Sequence, residues 1–172
     1  MVIREGELEF DFSGAREFEK LDRQERDAAS RPIPHGMKFV DFVVEEEDRV
    51  LLIEVKDPSC GQVPSSERTD FLKRMEHKTL IHYELVPKAR DTYTFLHLMK
   101  RDEKPFFYVV LLGLEEFNLD ALFLPNFKDR LLQRLRQESD HPWRRDYVAD
   151  CVVATVSNWR AIFPNYPLTR AR

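Results

Sequence analysis

The sequence predicts an α/β fold in which a central sheet is flanked by helices on both faces. Three observations carry that expectation. Residues 38–44 and 50–55 are apolar at most positions, residues 106–112 repeat the pattern, and the stretches between carry apolar residues at helical spacing. A strand that is apolar on both sides is usually covered on both sides by other layers. Apolar residues three or four apart supply the faces of those layers.

Residues 3–12 alternate loosely and read as a short strand or extended arm. Ser13 is positioned to cap a helix over 14–29, with a narrow apolar stripe of Ala15, Phe18, Leu21 and Ala28. Glu17 borders that stripe, and Glu19 points further towards solvent. Two prolines and a glycine make residues 30–36 a loop.

The runs 38–44 and 50–55 then form a hairpin around the charged segment 45–49. Pro58 stops the second strand, because proline cannot donate to a ladder. Residues 57–66 are a loop. Ser65 or Ser66 is placed to cap a helix running to about 86, and Pro87 suits the first turn of the next, which ends near 100–101.

Residues 106–112 form a third strand, closed by Gly113. Asn126 caps a helix over 127–137, and 147–156 is the last strand. Residues 157–163 hold a turn or two of helix, and 164–172 are a tail. The chain reads as one domain spanning 1–172, with 1–12 as its arm.

Composition narrows the function. A chain of 172 residues with 42% hydrophobic and 34% charged content has material for one core. No stretch approaches the roughly 18 apolar residues of a membrane helix. No signal-peptide core opens the chain. The two cysteines, Cys60 and Cys151, lack metal spacing and give no disulfide framework, which suits the cytoplasm.

The net charge of −4 argues against a bulk electrostatic grip on nucleic acid. The distribution is less hostile. Residues 1–55 carry 8 Lys/Arg against 15 Asp/Glu, and residues 56–172 carry 19 against 16. The five histidines show no zinc spacing, and the five glycines form no phosphate-cradling motif. Trp143 beside Arg144 and Arg145 is the one aromatic–basic arrangement that suggests a nucleic-acid or partner contact.

Three charges interrupt the hairpin: Asp41, Glu54 and Lys56. Side chains alternate along a strand, so Glu54 and Lys56 share a face. A two-residue turn at Glu47-Asp48 pairs residues whose numbers sum to 95. Asp41 then lies opposite Glu54. Opposed carboxylates repel, and burial worsens the conflict. A cation between them removes it, so the spacing predicts a divalent-metal site with Lys56 beside it. The plainer alternative is a salt-bridged cluster with Lys56 and Lys38 at a sheet edge.

Asp41, followed thirteen residues later by Glu54-Val55-Lys56, resembles the core of the PD-(D/E)XK nuclease superfamily, the restriction-endonuclease-like proteins. Val40 stands where the superfamily's proline would be. The likeness implies a restriction-endonuclease-like mixed sheet and metal-dependent phosphodiester hydrolysis, with DNA as the expected substrate. It implies Mg²⁺, or Mn²⁺, held by Asp41, Glu54 and the Val55 carbonyl. Lys56 would orient or deprotonate the water, or hold the scissile phosphate. Members often add a glutamate from the first helix, for which Glu17 is the candidate, with Glu19 the alternative.

A homodimer is expected only by analogy. A catalytically inactive scaffold that binds a partner protein or nucleic acid is the competing function. One feature departs from the superfamily, which runs helix, three-stranded meander, helix, strand. Here long helical material separates the second and third strands.

Overall fold

The computed structural model describes residues 2–22, 34 and 36–171. It contains β1 (Val2–Glu5), β2 (Leu8–Asp11), β3 (Glu17–Lys20), β4 (Phe42–Glu45), β5 (Val50–Lys56) and α1 (Ser65–Glu76). A π-helical segment, Ile81–Leu85, follows. Then come α2 (Val86–Leu98), β6 (Phe106–Leu112), α3 (Phe123–Arg136), β7 (Asp150–Thr155), α4 (Trp159–Ile162) and β8 (Leu168–Arg170).

The main sheet is mixed, in the order β3-β4-β5-β6-β7. β3, β4 and β5 form an antiparallel meander, whereas β5, β6 and β7 run parallel. Parallel neighbours need a long crossover. α1, the π-helical segment and α2 make the crossover from β5 to β6, and α3 makes the one from β6 to β7. The helical stretch between the second and third predicted strands is therefore a crossover, and β3 completes the antiparallel meander.

Alternation along the strands sorts the core into two clusters. Val43, Leu52, Tyr108, Val110 and Leu112 face the helices, packing with Phe71, Met75, Ile81, Leu85, Leu96, Phe127 and Leu131. Phe42, Val44, Leu51, Ile53 and Val109 face the other way, onto Phe10, Phe12, Trp159 and Tyr166. That second face is covered by a three-stranded sheet, order β1-β2-β8, together with α4. The expectation of helices on both faces is corrected: α1, α2 and α3 cover one face only. The arm and the tail supply most of the other cover, because β2 pairs with β8, Leu8 opposite Arg170 and Phe10 opposite Leu168.

The helix expected over 14–29 is also corrected. Glu17–Lys20 is a strand, and residues 23–29, with most of the loop 30–36, lie outside the described residues. The apolar stripe was too narrow to hold a helix against the sheet. Phe18 instead packs its ring 5.6 Å from Phe12, and the Lys20 ammonium lies over the Phe42 ring.

The helix expected to run from 65 to 86 stops at Glu76, and Lys78 takes a left-handed φ of 65°. Pro64, with no side-chain bond, occupies the cap position expected of a serine. Beyond the break, Pro87 follows the π-helical segment without an amide hydrogen to give. The wider turn accommodates a proline that would disrupt a regular helix interior. α3 begins at Phe123 rather than 127, where the Asp120 carboxylate accepts from the Leu122 amide at 2.7 Å.

Candidate functional site

The predicted hairpin register holds. Phe42 pairs with Ile53, Val43 with Leu52, Val44 with Leu51 and Glu45 with Val50, each pair summing to 95. The Glu46 amide donates to the Arg49 carbonyl at 2.9 Å, closing a two-residue turn at Glu47-Asp48. Continued by one pair, the register brings Asp41 opposite Glu54. Both side chains lie on the helix-covered face, in the rows of Val43 and Leu52.

Both carboxylates are deeply buried, with Asp41 5% and Glu54 1% exposed. Oδ2 of Asp41 accepts from the Val55 amide at 2.6 Å. Oε1 of Glu54 has two ammonium groups within ion-pair range, Lys56 at 3.1 Å and Lys88 at 2.9 Å. Neither oxygen of Glu54 has a hydrogen bond of good geometry, and Oε2 has no partner among the described residues.

Burial, then the Glu54 charge, pushes Asp41 up to about 8. Burial also raises Glu54, against the pull of Lys56 and Lys88. Burial works against the Lys56 ammonium, but Glu54 and Glu84 outweigh it and hold its pKa above the ordinary value. Lys88 is raised for the same reason, by Glu54 and Asp41.

The cluster continues outward. Lys56 also pairs with Glu84 at 3.0 Å, and Glu84 pairs with Arg74 of α1. Lys88 bridges from Glu54 to Asp22, at 2.9 Å on each side. Side-chain exposure rises from Glu54 through Lys56 at 20% and Glu84 at 30% to Arg74 at 44%. Exposure also rises along the other branch, from Lys88 at 15% to Asp22 at 40%, so the cluster meets solvent on both sides.

Three of the expected residues, Asp41, Glu54 and Lys56, come together. The Val55 amide faces Asp41, and a strand residue's carbonyl points to the same edge as its amide. Glu17 does not join them. It is exposed on β3 opposite Glu45, while the position beside Asp41 is Leu21, whose amide donates to the Asp41 carbonyl. Leu21 lies one residue past β3, four strand steps or about 13 Å along the chain from Glu17. Glu19 instead pairs with Arg101 at 3.0 Å. Lys38 turns away from the carboxylates and donates to the Tyr83 carbonyl. Trp143, Arg144 and Arg145 are exposed in the loop after α3.

Sequence reasoning missed Lys88, Glu84 and Asp22. One signal was present: Glu84 precedes Lys88 by four residues, the spacing that puts an acid and a base on one helical face. Asp22 carried none.

Among the described residues, no group of three or more His, Cys, Asp or Glu side chains converges as a metal-binding set. A cation here would rest on the two carboxylates of Asp41 and Glu54. Glu54 Oε2, which has no hydrogen bond, and Asp41 Oδ1, left over beside the Oδ2 that accepts from Val55, are the oxygens with capacity to spare. That matches the one or two protein carboxylates that Mg²⁺ takes.

The site thus defines a class: a mixed α/β chain with a buried acid–lysine cluster at the C-terminal end of a parallel-paired strand. No known family, no curated protein and no solved structure matches the chain.

Proposed function

We propose that the protein is a metal-dependent nuclease of the restriction-endonuclease-like kind, hydrolysing phosphodiester bonds at Asp41, Glu54 and Lys56, with DNA as substrate. The observation that carries this reading is the pairing of two deeply buried carboxylates across the hairpin, Asp41 held by the Val55 amide and Glu54 with oxygens that lack a hydrogen bond. The antiparallel meander β3-β4-β5, followed by a helical crossover to a parallel β6, supports it as well.

The chain's own groups divide the work. Asp41 and Glu54 would hold Mg²⁺ or Mn²⁺, which, when bound, supplies Lewis acidity toward the phosphate and lowers the pKa of water. The Val55 amide fixes the Asp41 carboxylate through Oδ2 and leaves Oδ1 for other contacts. Lys56 stays protonated, because Glu54 and Glu84 stabilise the ammonium. It therefore serves as a charge that holds the scissile phosphate, rather than as a base. Arg74, half-exposed and paired with Glu84, is a second cation within the same cluster for the phosphate backbone.

One observation favours a second reading. The Lys88 ammonium already neutralises Glu54 and reaches Asp22, as a structural ion network would. On that reading the chain is an inactive scaffold for a partner protein or nucleic acid.

The two separate by calorimetry with Mn²⁺ and by incubation with plasmid DNA. The nuclease binds about one Mn²⁺, and near pH 7 binding releases a proton from Asp41. It cuts DNA only with the metal, and Lys56→Ala and Asp41→Ala stop cleavage while remaining folded. Absence of Mn²⁺ binding in the parent, or cleavage by both variants at the parental rate, overturns the proposal.

A further inference from the structure

A cavity of about 280 Å³ lies between the π-helical segment and α3, away from the carboxylate pair. Lys78, His82, Arg130 and Arg134 line it, with Gln133 and Gln137. Lys78 and His82 are four residues apart on one side, and Arg130 and Arg134 are four apart on α3. Lys78 sits at the break just before the π-helical segment that carries His82, and Arg130 and Arg134 share one face of α3, so basic groups line the cavity from both sides.

In a chain with 31 acidic residues against 27 Lys and Arg, carboxylate partners are plentiful. This group has none among the described residues. Arg130 reaches only the Asn126 and Glu76 carbonyls, and Arg134 has a buried Nε without a hydrogen bond. Burial, then Arg134 and Lys78, holds His82 below its ordinary pKa, as an uncompensated positive field does. Stability gains nothing from this arrangement. It is the arrangement that an anion would complete.

We infer that Lys78, His82, Arg130 and Arg134 form a phosphate-binding pocket. Guanidinium forks and side-chain amides suit a tetrahedral oxyanion with several acceptor oxygens. The cavity has room for a phosphate with attached waters, each water taking roughly 30 Å³. The phosphate belongs to a nucleic-acid strand or to a small phosphorylated molecule. Only the strand form rests on the nuclease reading; the pocket stands without it.

The test is calorimetry of the full chain at low salt, without divalent metal. The probes are pyrophosphate and a short single-stranded oligonucleotide lacking terminal phosphates. Pyrophosphate binds the parent, and the double variant Arg130→Gln/Arg134→Gln binds it about tenfold or more weakly, the worth of a lost charge-assisted hydrogen bond. The variant's circular dichroism stays native.

A parallel fall in oligonucleotide affinity assigns the pocket to a strand. Unchanged oligonucleotide affinity assigns it to a small phosphorylated ligand. Pyrophosphate is titrated without divalent metal, which the nuclease reading requires, so a failure of that reading leaves this result standing. Equal pyrophosphate affinity in parent and double variant, or no measurable binding to the parent, overturns the pocket.

Discussion

The Val55 amide donates to Asp41 Oδ2 at 2.6 Å, one residue beyond the last ladder pair of β4 and β5. That bond stabilises an ionised Asp41, yet burial and Glu54 overcome it and raise the group from 3.8 to about 8. The linkage has a definite sign. Below about pH 4 both folded and unfolded chains keep the Asp41 proton. Between about 4 and 8 the unfolded chain releases it and the folded chain retains it, so stability falls as pH rises through that window. Urea unfolding at pH 5 and at pH 8 should differ by a few kcal/mol in the parent. Asp41→Asn, which keeps an acceptor for Val55, should flatten the dependence and be the more stable protein at pH 8. A parent whose stability rises from pH 5 to 8 more steeply than the variant's would contradict this account of Asp41.

Lys88 is the second cation on Glu54, and removing it leaves a carboxylate 1% exposed with Lys56 alone. Breaking one side of a buried ion pair costs about 3–5 kcal/mol, whereas removing both partners costs much less. Lys88→Met should therefore be strongly destabilising, and Lys88→Met/Glu54→Gln should regain more than half of the loss. Denaturant midpoints of the four proteins in this cycle give the coupling directly. A cost of less than ~0.5 kcal/mol for Lys88→Met would show that Lys56 suffices and that the bridge to Asp22 is incidental.

The hairpin was legible because its register depends only on turn length and a period of two. Both follow from Glu47-Asp48 and the flanking apolar runs, so Asp41, Glu54 and Lys56 could be placed together from sequence. β3 was illegible for a physical reason: four residues with one aromatic carry too little pattern to separate a strand from a weak helix. Phe18 becomes a strand residue only because Phe12 and Phe42 are there to receive it, a tertiary fact. The joining of arm and tail into one sheet was illegible, since Phe10 and Leu168 are 158 positions apart in sequence and pair only in the folded chain. Lys88 enters the site from the crossover between β5 and β6, and Asp22 from the chain just past β3, and no local spacing reveals that the two meet.

Glu17 faces Glu45 directly across β3 and β4, and both are acidic. Glu45 is already satisfied by Lys104 at 2.7 Å, so Glu17 contributes repulsion and little else. Opposed like charges on a strand pair cost about 0.2–1 kcal/mol, and threonine is the better strand former. Glu17→Thr should raise the unfolding midpoint slightly and leave metal-dependent cleavage unchanged. A large loss of cleavage in Glu17→Thr, with Mn²⁺ affinity reduced, would restore Glu17 to the site and undo its placement on β3.

Asp57 follows Lys56 at the end of β5, and its carboxylate takes a two-pronged contact from Arg170 of β8, at 2.7 and 2.9 Å. The same guanidinium reaches Glu115 at 2.9 Å and Glu7 at 3.5 Å. One arginine thus ties the small sheet to the strand that carries Glu54 and Lys56. Gly113 makes the space: a methyl group there would overlap the Asp57 carboxylate and come within 3.2 Å of the Asp57 Cα. Arg170→Ala should cost about 2–3 kcal/mol, because Asp57 is left mostly buried and unpaired. β8 should then loosen over Trp159, whose indole donates to the Tyr166 carbonyl at 2.7 Å. Faster proteolysis of the C-terminal residues and a red-shifted tryptophan emission would report it. Gly113→Ala should reproduce the effect by forcing Asp57 off the guanidinium. If Arg170→Ala were stable and protease-resistant while Gly113→Ala was not, the clamp would be backbone packing at Gly113 rather than the ion pair.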